Sequence, residues 1–379
     1  MHVSDLVSAM HDIAPLEYAE AWDKVGLLVG DAARALKGRV LLTIDLTERV
    51  LEEAIGAKAG AIIAYHPPIF EPLNRVTSAT PRQRVVLRAI EHQIAVYTPH
   101  TALDAAPGGI TDWLCEGLSG SRKEGKILGD CRALAPHPQM PASQQLKVVT
   151  FVPQAEVDRV RSALATAGAG IIGAYHLCSF ESSGTGTFVG GEGTKPRVGK
   201  AGHFEHVPEH RLEMVCSRSS LALAIETLRR FHPYESPAID VYELVPQPQR
   251  AAGPGRRLVV DKAATVRELA ERLRDHIKRD RVRYAVAGEA DAKLNHIGVV
   301  PGSGESLSRL ARTEGCQVFV TGEMKHHEVL GALNSGMSVI LGGHTNTERG
   351  YLPRLRAALE KRGFDAVLSE TDKDPLEAV

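Results

Sequence analysis

A series of short apolar runs, each stopping at a histidine, a carboxylate or a small-residue turn, restricts the fold of this chain more than any other feature. Val40-Leu41-Leu42-Thr43-Ile44, Ala61-Ile62-Ile63-Ala64-Tyr65, Ile94-Ala95-Val96-Tyr97, Ile297-Gly298-Val299-Val300, Gln317-Val318-Phe319-Val320 and Ser338-Val339-Ile340-Leu341 read as buried strands. Between them, apolar residues recur at helical spacing, as in Val50, Leu51, Ala54 and Ile55, or Val85, Val86, Ala89 and Ile90. Thr80 before Pro81 supplies a cap and a favoured first-turn proline for the second of these helices. Ser4 is the expected cap of a first helix carrying Leu6, Val7, Met10 and Ile13. Alternating strands and helices predict an α/β class with parallel strands. In such sheets ligands bind outside the carboxyl ends of the strands.

Those ends are where the chemistry-bearing residues fall. One run ends at His66-Pro67-Pro68, another at Thr98-Pro99-His100-Thr101-Ala102-Leu103-Asp104, and a third at Gly342-Gly343-His344-Thr345-Asn346-Thr347-Glu348. Taken singly, a strand-end histidine is a loop contact; three such places along parallel strands are expected to meet at one edge of one sheet. His344 and Glu348 are four residues apart, as are His100 and Asp104, so each pair can share one helix face. Mixed imidazole and carboxylate donors suit zinc, manganese, iron, cobalt or nickel, and a carboxylate can bridge two ions. No G-x-S-x-G elbow, P-loop or properly placed G-x-G-x-x-G competes. Pro301-Gly302-Ser303-Gly304 could present backbone N–H groups to an anion, and His326-His327-Glu328 could add a donor.

The 379 residues exceed one ordinary domain, and a 43% hydrophobic content supports several cores. Around residues 132–144 and 246–254, proline-rich stretches read as linkers. They bracket a different pattern, with strands at 146–152, 213–216 and 238–244 and helices at 155–167 and from Leu221 onward. This spacing suggests a ferredoxin-like sandwich inserted into the first domain. The expected division is therefore 1–135, 145–246 and 252–379. Lysine plus arginine (45) balance aspartate plus glutamate (46), so nothing predicts non-specific nucleic-acid or membrane binding. Without a spanning run or a leader pattern, the expectation is a soluble, cytoplasmic protein. Five scattered cysteines lack C-x-x-C spacing and are expected to be reduced.

Several motifs together resemble the Nif-three-like family of dinuclear metal-centre proteins, often labelled GTP cyclohydrolase I type 2. They are Trp22-Asp23-Lys24-Val25-Gly26-Leu27, Tyr65-His66-Pro67-Pro68-Ile69-Phe70, the stretch from His100 to Gly109, Thr321-Gly322-Glu323 and Gly343-His344-Thr345-Asn346-Thr347-Glu348. The middle portion, with His232-Pro233-Tyr234-Glu235, looks like the PII/CutA-like domain inserted in longer members. The resemblance implies an α/β core of two halves interrupted by this α+β ferredoxin-like insert. It also implies toroidal homohexamers with metals facing an interior cavity. Its ligands fall on His66, Asp104, His344 and Glu348, with Asp104 or Glu348 bridging one or two divalent ions per subunit. Many relatives carry two adjacent histidines where this chain has Tyr65-His66, and a phenol is the poorer ligand. Two roles are open to His100: supplying the missing imidazole, or orienting Asp104.

The function these features imply is metal-assisted hydrolysis of a nucleotide or related small molecule, with His100 or Glu348 moving protons. A non-catalytic metal-stabilised adaptor or regulatory ligand-binding protein is the alternative, and metal storage a third.

Overall fold

The computed structural model describes residues 1–376. The chain divides into two compact units, one formed by Met1–His137 with the chain from Gln249 onward, the other by Pro138–Pro248. The expected segments 1–135 and 252–379 lie in the first unit, and 145–246 lies in the second.

The first unit contains two separate sheets. One is ordered Gly26–Val29, Ala95–Thr98, Ala59–Ala64, Arg39–Thr43 and Ala366–Leu368. Its last four strands are parallel, and the edge strand Gly26–Val29 is antiparallel. Every residue of Ala59–Ala64 is buried, as a central parallel strand covered on both faces must be. The other sheet is ordered Arg283–Ala285, Ser338–Leu341, Val318–Thr321, Leu294–Val299, Arg256–Ala264 and Gly129–Ala133. Its three middle strands, Leu294–Val299, Val318–Thr321 and Ser338–Leu341, are parallel.

A shared core fills the space between the inner faces of the sheets. Leu42, Ile63 and Tyr97 from the first sheet and Leu258, Ile297, Val320 and Ile340 from the second join it. So do Leu6 and Met10 of helix Val3–Ile13, Trp113 and Leu114 of Ile110–Leu118, and Leu269 and Leu273 of Val266–His276. The outer face of each sheet packs on its own helices: Glu48–Gly56 and Pro81–Glu91 on the first, Glu305–Thr313 and His326–Asn334 on the second. The caps follow the residues: Thr47 and Thr80 accept from Val50 N and Gln83 N, and Thr265 with Glu268 forms a capping box.

Several expectations need correction. The strand ends carrying the histidines belong to two sheets rather than one edge of one sheet, because each half of the unit closes its own parallel set. The first helix starts two residues earlier than a Ser4 cap allows: His2 is the cap, and its backbone N–H donates to Asp5. Arg132 and Ala133, expected in a linker, end the strand Gly129–Ala133, which pairs with Arg256–Ala264. Their charged residues hid both strands.

The second unit runs strand Leu146–Val152, helix Val157–Thr166, strands Phe180–Val189 and Phe204–Cys216, helix Leu221–Phe231 and strand Ile239–Glu243. Its four-stranded antiparallel sheet packs one face on both helices through Val148, Val152, Leu164, Met214 and Leu228. Strand Phe180–Val189 is largely exposed and rich in Ser, Gly and Thr, so no apolar alternation announces it. A cavity of about 640 Å³ lies in this unit, lined by Phe151, Glu209, Arg211, Tyr234 and the loop at 190–198.

Candidate metal centre

His66 is delivered by the strand Ala59–Ala64, whose ladder continues past its end: Tyr65 N–H donates to Thr43 O and His66 N–H to Ile44 O. The two prolines that follow then fix the backbone. His344 is delivered likewise, because Gly342 and Gly343 donate to Thr321 O and Gly322 O before the chain turns into the short helix Asn346–Arg349. That turn carries Glu348 back beside His344.

The three side chains converge. His66, His344 and Glu348 each offer a ligand atom within 4.8 Å of the others. The Nε2 atoms of His66 and His344 each lie 3.5 Å from one oxygen of the Glu348 carboxylate. Glu348 is only 2% exposed, and its Oε2 has no hydrogen-bond partner. A buried carboxylate so placed is stable only beside a positive charge. Without a cation, a proton on His66 supplies that charge. Burial disfavours the imidazolium, but the hydrogen bond to Asp45 and the negative charge of the nearby Glu348 outweigh it and lift the pKa to about 10.

Space is kept open as well. Gly302 sits at φ +57°, where a Cβ would come within 2.5 Å of Glu348 Oε1 and 3.2 Å of His344 Nε2. The Gly302 and Gly304 N–H groups bond to the hydroxyls of Thr347 and Thr321, so this loop does not present them as an anion cradle. Two imidazoles and one carboxylate form a donor set that fits a divalent ion. Nothing in it selects one metal.

The histidines share one construction. His66 donates from Nδ1 to Asp45 (2.9 Å), His344 to Glu323 (2.8 Å) and His100 to Asp23 (2.7 Å). Each carboxylate holds the orientation of its ring through Nδ1, and on His66 the Nε2 lone pair becomes available to a metal once its proton leaves. Asp45, Glu323 and Asp23 were not singled out as partners from sequence; their position directly after a strand, or in a motif beside one, was the available signal. Of the two cap residues that precede helix Glu48–Gly56, Asp45 and Thr47, it is Thr47 that caps, which leaves Asp45 to His66.

His100 and Asp104 occupy the short helix His100–Ala105, directly after Ala95–Thr98. His100 adopts φ +33°, strained for any residue but glycine. It is held there because Asp23 accepts from its ring and from the N–H and hydroxyl of Thr101. Burial raises the Asp23 pKa, but these hydrogen bonds outweigh that and keep it below the usual range. The His100 ring lies 5.4 Å from those of His66 and Tyr65. Asp104 falls outside the three-residue cluster and accepts from the Tyr65 hydroxyl at 2.7 Å. Burial pushes the Asp104 carboxyl up to about 7 against the opposing pull of His100 and the Tyr65 hydrogen bond. Tyr65 is driven well above its ordinary value by burial and by Asp104. His326 and His327 open a helix elsewhere, and neither belongs to the cluster. All five cysteines are free thiols, and no described helix is long and apolar enough to cross a membrane.

Comparison with known proteins agrees with this picture. The chain is 34% identical over 375 residues to a GTP cyclohydrolase 1 type 2 homolog of Bacillus subtilis, covering 98% of this chain and 96% of the relative. It is 32% identical to human NIF3-like protein 1 over 389 residues, covering 100% and 93%. A Bacillus cereus protein related to NIF3 matches in structure with TM-score 0.63 and 31% identity, covering 100% of this chain and 99% of that one. Staphylococcus aureus protein SA1388 matches with TM-score 0.74 and 27% identity at the same coverage. Residues 1–375 match the family Duf34/NIF3 (NGG1p interacting factor 3), and the chain belongs to it.

Proposed function

We propose that this protein is a divalent-metal-dependent hydrolase acting on a nucleotide or a related compound, in keeping with the name carried by its bacterial relatives. The observation that carries the reading is the buried Glu348 carboxylate facing two imidazoles whose outer nitrogens are already taken by acids. His66, His344 and Glu348 hold the ion, and Asp104 is the donor next in reach for a second. A divalent ion there supplies Lewis acidity, polarising a carbonyl or phosphoryl oxygen and lowering the pKa of water. His100, with Nδ1 committed to Asp23, offers Nε2 as a proton acceptor beside this centre. The strained backbone at His100 serves that placement.

The same reading takes the second unit as a PII/CutA-like ferredoxin-like insert, the assembly as a toroidal homohexamer and the compartment as the cytoplasm. A second reading, a metal-stabilised adaptor that binds a regulatory small molecule without turnover, is supported by the cavity in the inserted unit. The deciding experiment measures metal content and hydrolysis of GTP and simple phosphoesters for wild type, His66→Ala and His344→Ala. The hydrolase reading expects metal and turnover to be lost together in both variants. Full turnover by metal-free wild type would overturn it, and metal-dependent stabilisation by ligands without product favours the adaptor.

A further inference from the structure

Trp22 and Phe70 stand side by side in solvent near the metal centre. They are 53% and 47% exposed, with ring centroids 6.0 Å apart and planes tilted by 58°. Trp22 also meets the His100 ring at 6.0 Å, nearly edge-on, and His100 lies 5.4 Å from His66. Two large aromatic faces left open together mark a binding surface more often than isolated exposed residues do.

The Trp22 side of the pair is anchored through its neighbours. Asp23, next to Trp22, has a fully buried side chain tied to His100 and Thr101. Its own N–H donates to Glu20 O, and Glu20 N–H in turn donates to the Thr101 hydroxyl. Phe70 follows His66-Pro67-Pro68, where two fixed φ angles limit its wandering. The backbone that presents the Trp22 ring is anchored to the segment that carries His100.

We propose that Trp22 and Phe70 seat the base of a purine nucleotide whose phosphates reach the metal centre. Open indole and phenyl faces hold flat heteroaromatic rings by stacking, with little regard to hydrogen-bond pattern. A bicyclic base covers the two tilted faces better than a single ring. Two ring-to-ring steps, Trp22 to His100 and His100 to His66, separate the seat from the ligands, and a nucleotide bridges such a gap between base and phosphates. The anionic end then meets the cation rather than the acidic side chains around it. This placement of the phosphates rests on the metal-centre reading above; the seat itself does not.

The chain has two tryptophans, and Trp113 is only 6% exposed, so long-wavelength emission reports on Trp22. Metal-free protein and the His344→Ala variant are titrated with guanosine, GMP and ribose 5-phosphate. Guanosine and GMP should quench that emission saturably, and ribose 5-phosphate should not. The W22F variant should lose the signal, and W22A and F70A should weaken guanosine binding by calorimetry roughly tenfold. Absence of saturable quenching, or an equal response to ribose 5-phosphate, overturns the inference. A changed sedimentation coefficient in W22A without guanosine binding in wild type overturns it too, making the pair a contact between copies. Quenching that persists while loaded wild type turns nothing over keeps the seat and removes the hydrolase reading. Nucleotide turnover untouched by W22A removes the seat and keeps the hydrolase.

Discussion

In the first half of the unit that carries the candidate metal site, the third parallel strand, Ala95–Thr98, leads to a helical turn that carries His100 and, four residues on, Asp104. In the second half, the third parallel strand, Ser338–Leu341, leads to a turn that carries His344 and into the short helix Asn346–Arg349 that carries Glu348, four residues on. Each histidine gives Nδ1 to an acid from another segment, and each half places an antiparallel strand beside its third parallel one. The halves differ in the carboxylates. Glu348 is bare at Oε2 and faces two imidazoles, whereas Asp104 is occupied by the Tyr65 hydroxyl and carries a raised pKa. Similar backbones thus yield one carboxylate poised for a cation and one that holds a proton near neutrality.

The sharpest way to break this comparison exchanges the acids for amides. Glu348→Gln should lower metal affinity more than about a hundredfold, beyond the range typical of outer partners. Asp104→Asn should leave the first ion bound. Elemental analysis after dialysis reads both, and equal loss in the two variants would mean that the halves contribute alike.

A smaller effect separates the acids behind the imidazoles. Asp45→Asn and Glu323→Gln should each weaken metal binding roughly 10–100-fold, because His66 and His344 lose their orientation. Asp23→Asn should spare the affinity for the first ion and act on His100 alone. Competition with a chromogenic chelator distinguishes these outcomes.

Protons give a third contrast. His66 holds its proton up to about pH 10 in the metal-free site, so metal uptake near pH 8 must release it, and affinity should climb about tenfold per pH unit. Stability of the metal-free protein should move the opposite way. The raised His66 pKa stabilises the fold fully below the ordinary value of 6.5, and this contribution is lost as pH rises through about 10. Asp104 acts in the same direction at lower pH: its carboxyl is easier to ionise in the unfolded chain, so stability falls from the ordinary 3.8 up to about 7. Thermal unfolding of metal-free protein from pH 5 to 10 should show a steady decline, and a rise over that range would refute the assignment.

The least expected change is local. Thr265→Ala removes the capping box of Val266–His276 and should cost about 1 kcal/mol in chemical denaturation without altering metal content.

Much of this was legible before any coordinates. The buried runs around Ile62, Val96, Phe319 and Val339 announce parallel strands because both faces are covered, and Thr80-Pro81 marks a helix start by local chemistry alone. His66, His344 and Glu348 could be singled out as candidate donors because each follows such a strand. Strands Gly129–Ala133 and Phe180–Val189 could not be read, since half-exposed edges carry no apolar period. Nor could the pairing of Tyr65 with Asp104, 39 residues apart, or of His100 with Asp23, 77 apart. Those contacts depend on how strands are ordered across a sheet, which no local spacing encodes. The same limit produced the expectation of a single sheet edge.

The departure and return points of the second unit meet. Gln249 N–H donates to His137 O, and Pro138–Gln139 pairs with Gln247–Pro248 just beyond. Were residues 138–248 a structureless excursion, closing them would cost about 4 kcal/mol of chain entropy before any distant contact formed. With His137 bonded to Gln249 and the stem strands paired, the tether that the first unit must close is a few residues long. The strand Arg256–Ala264 is thereby brought back to Gly129–Ala133 almost as though the two were neighbours along the chain. An excursion that looks like a burden on assembly is, in kinetic terms, nearly invisible to the unit it interrupts.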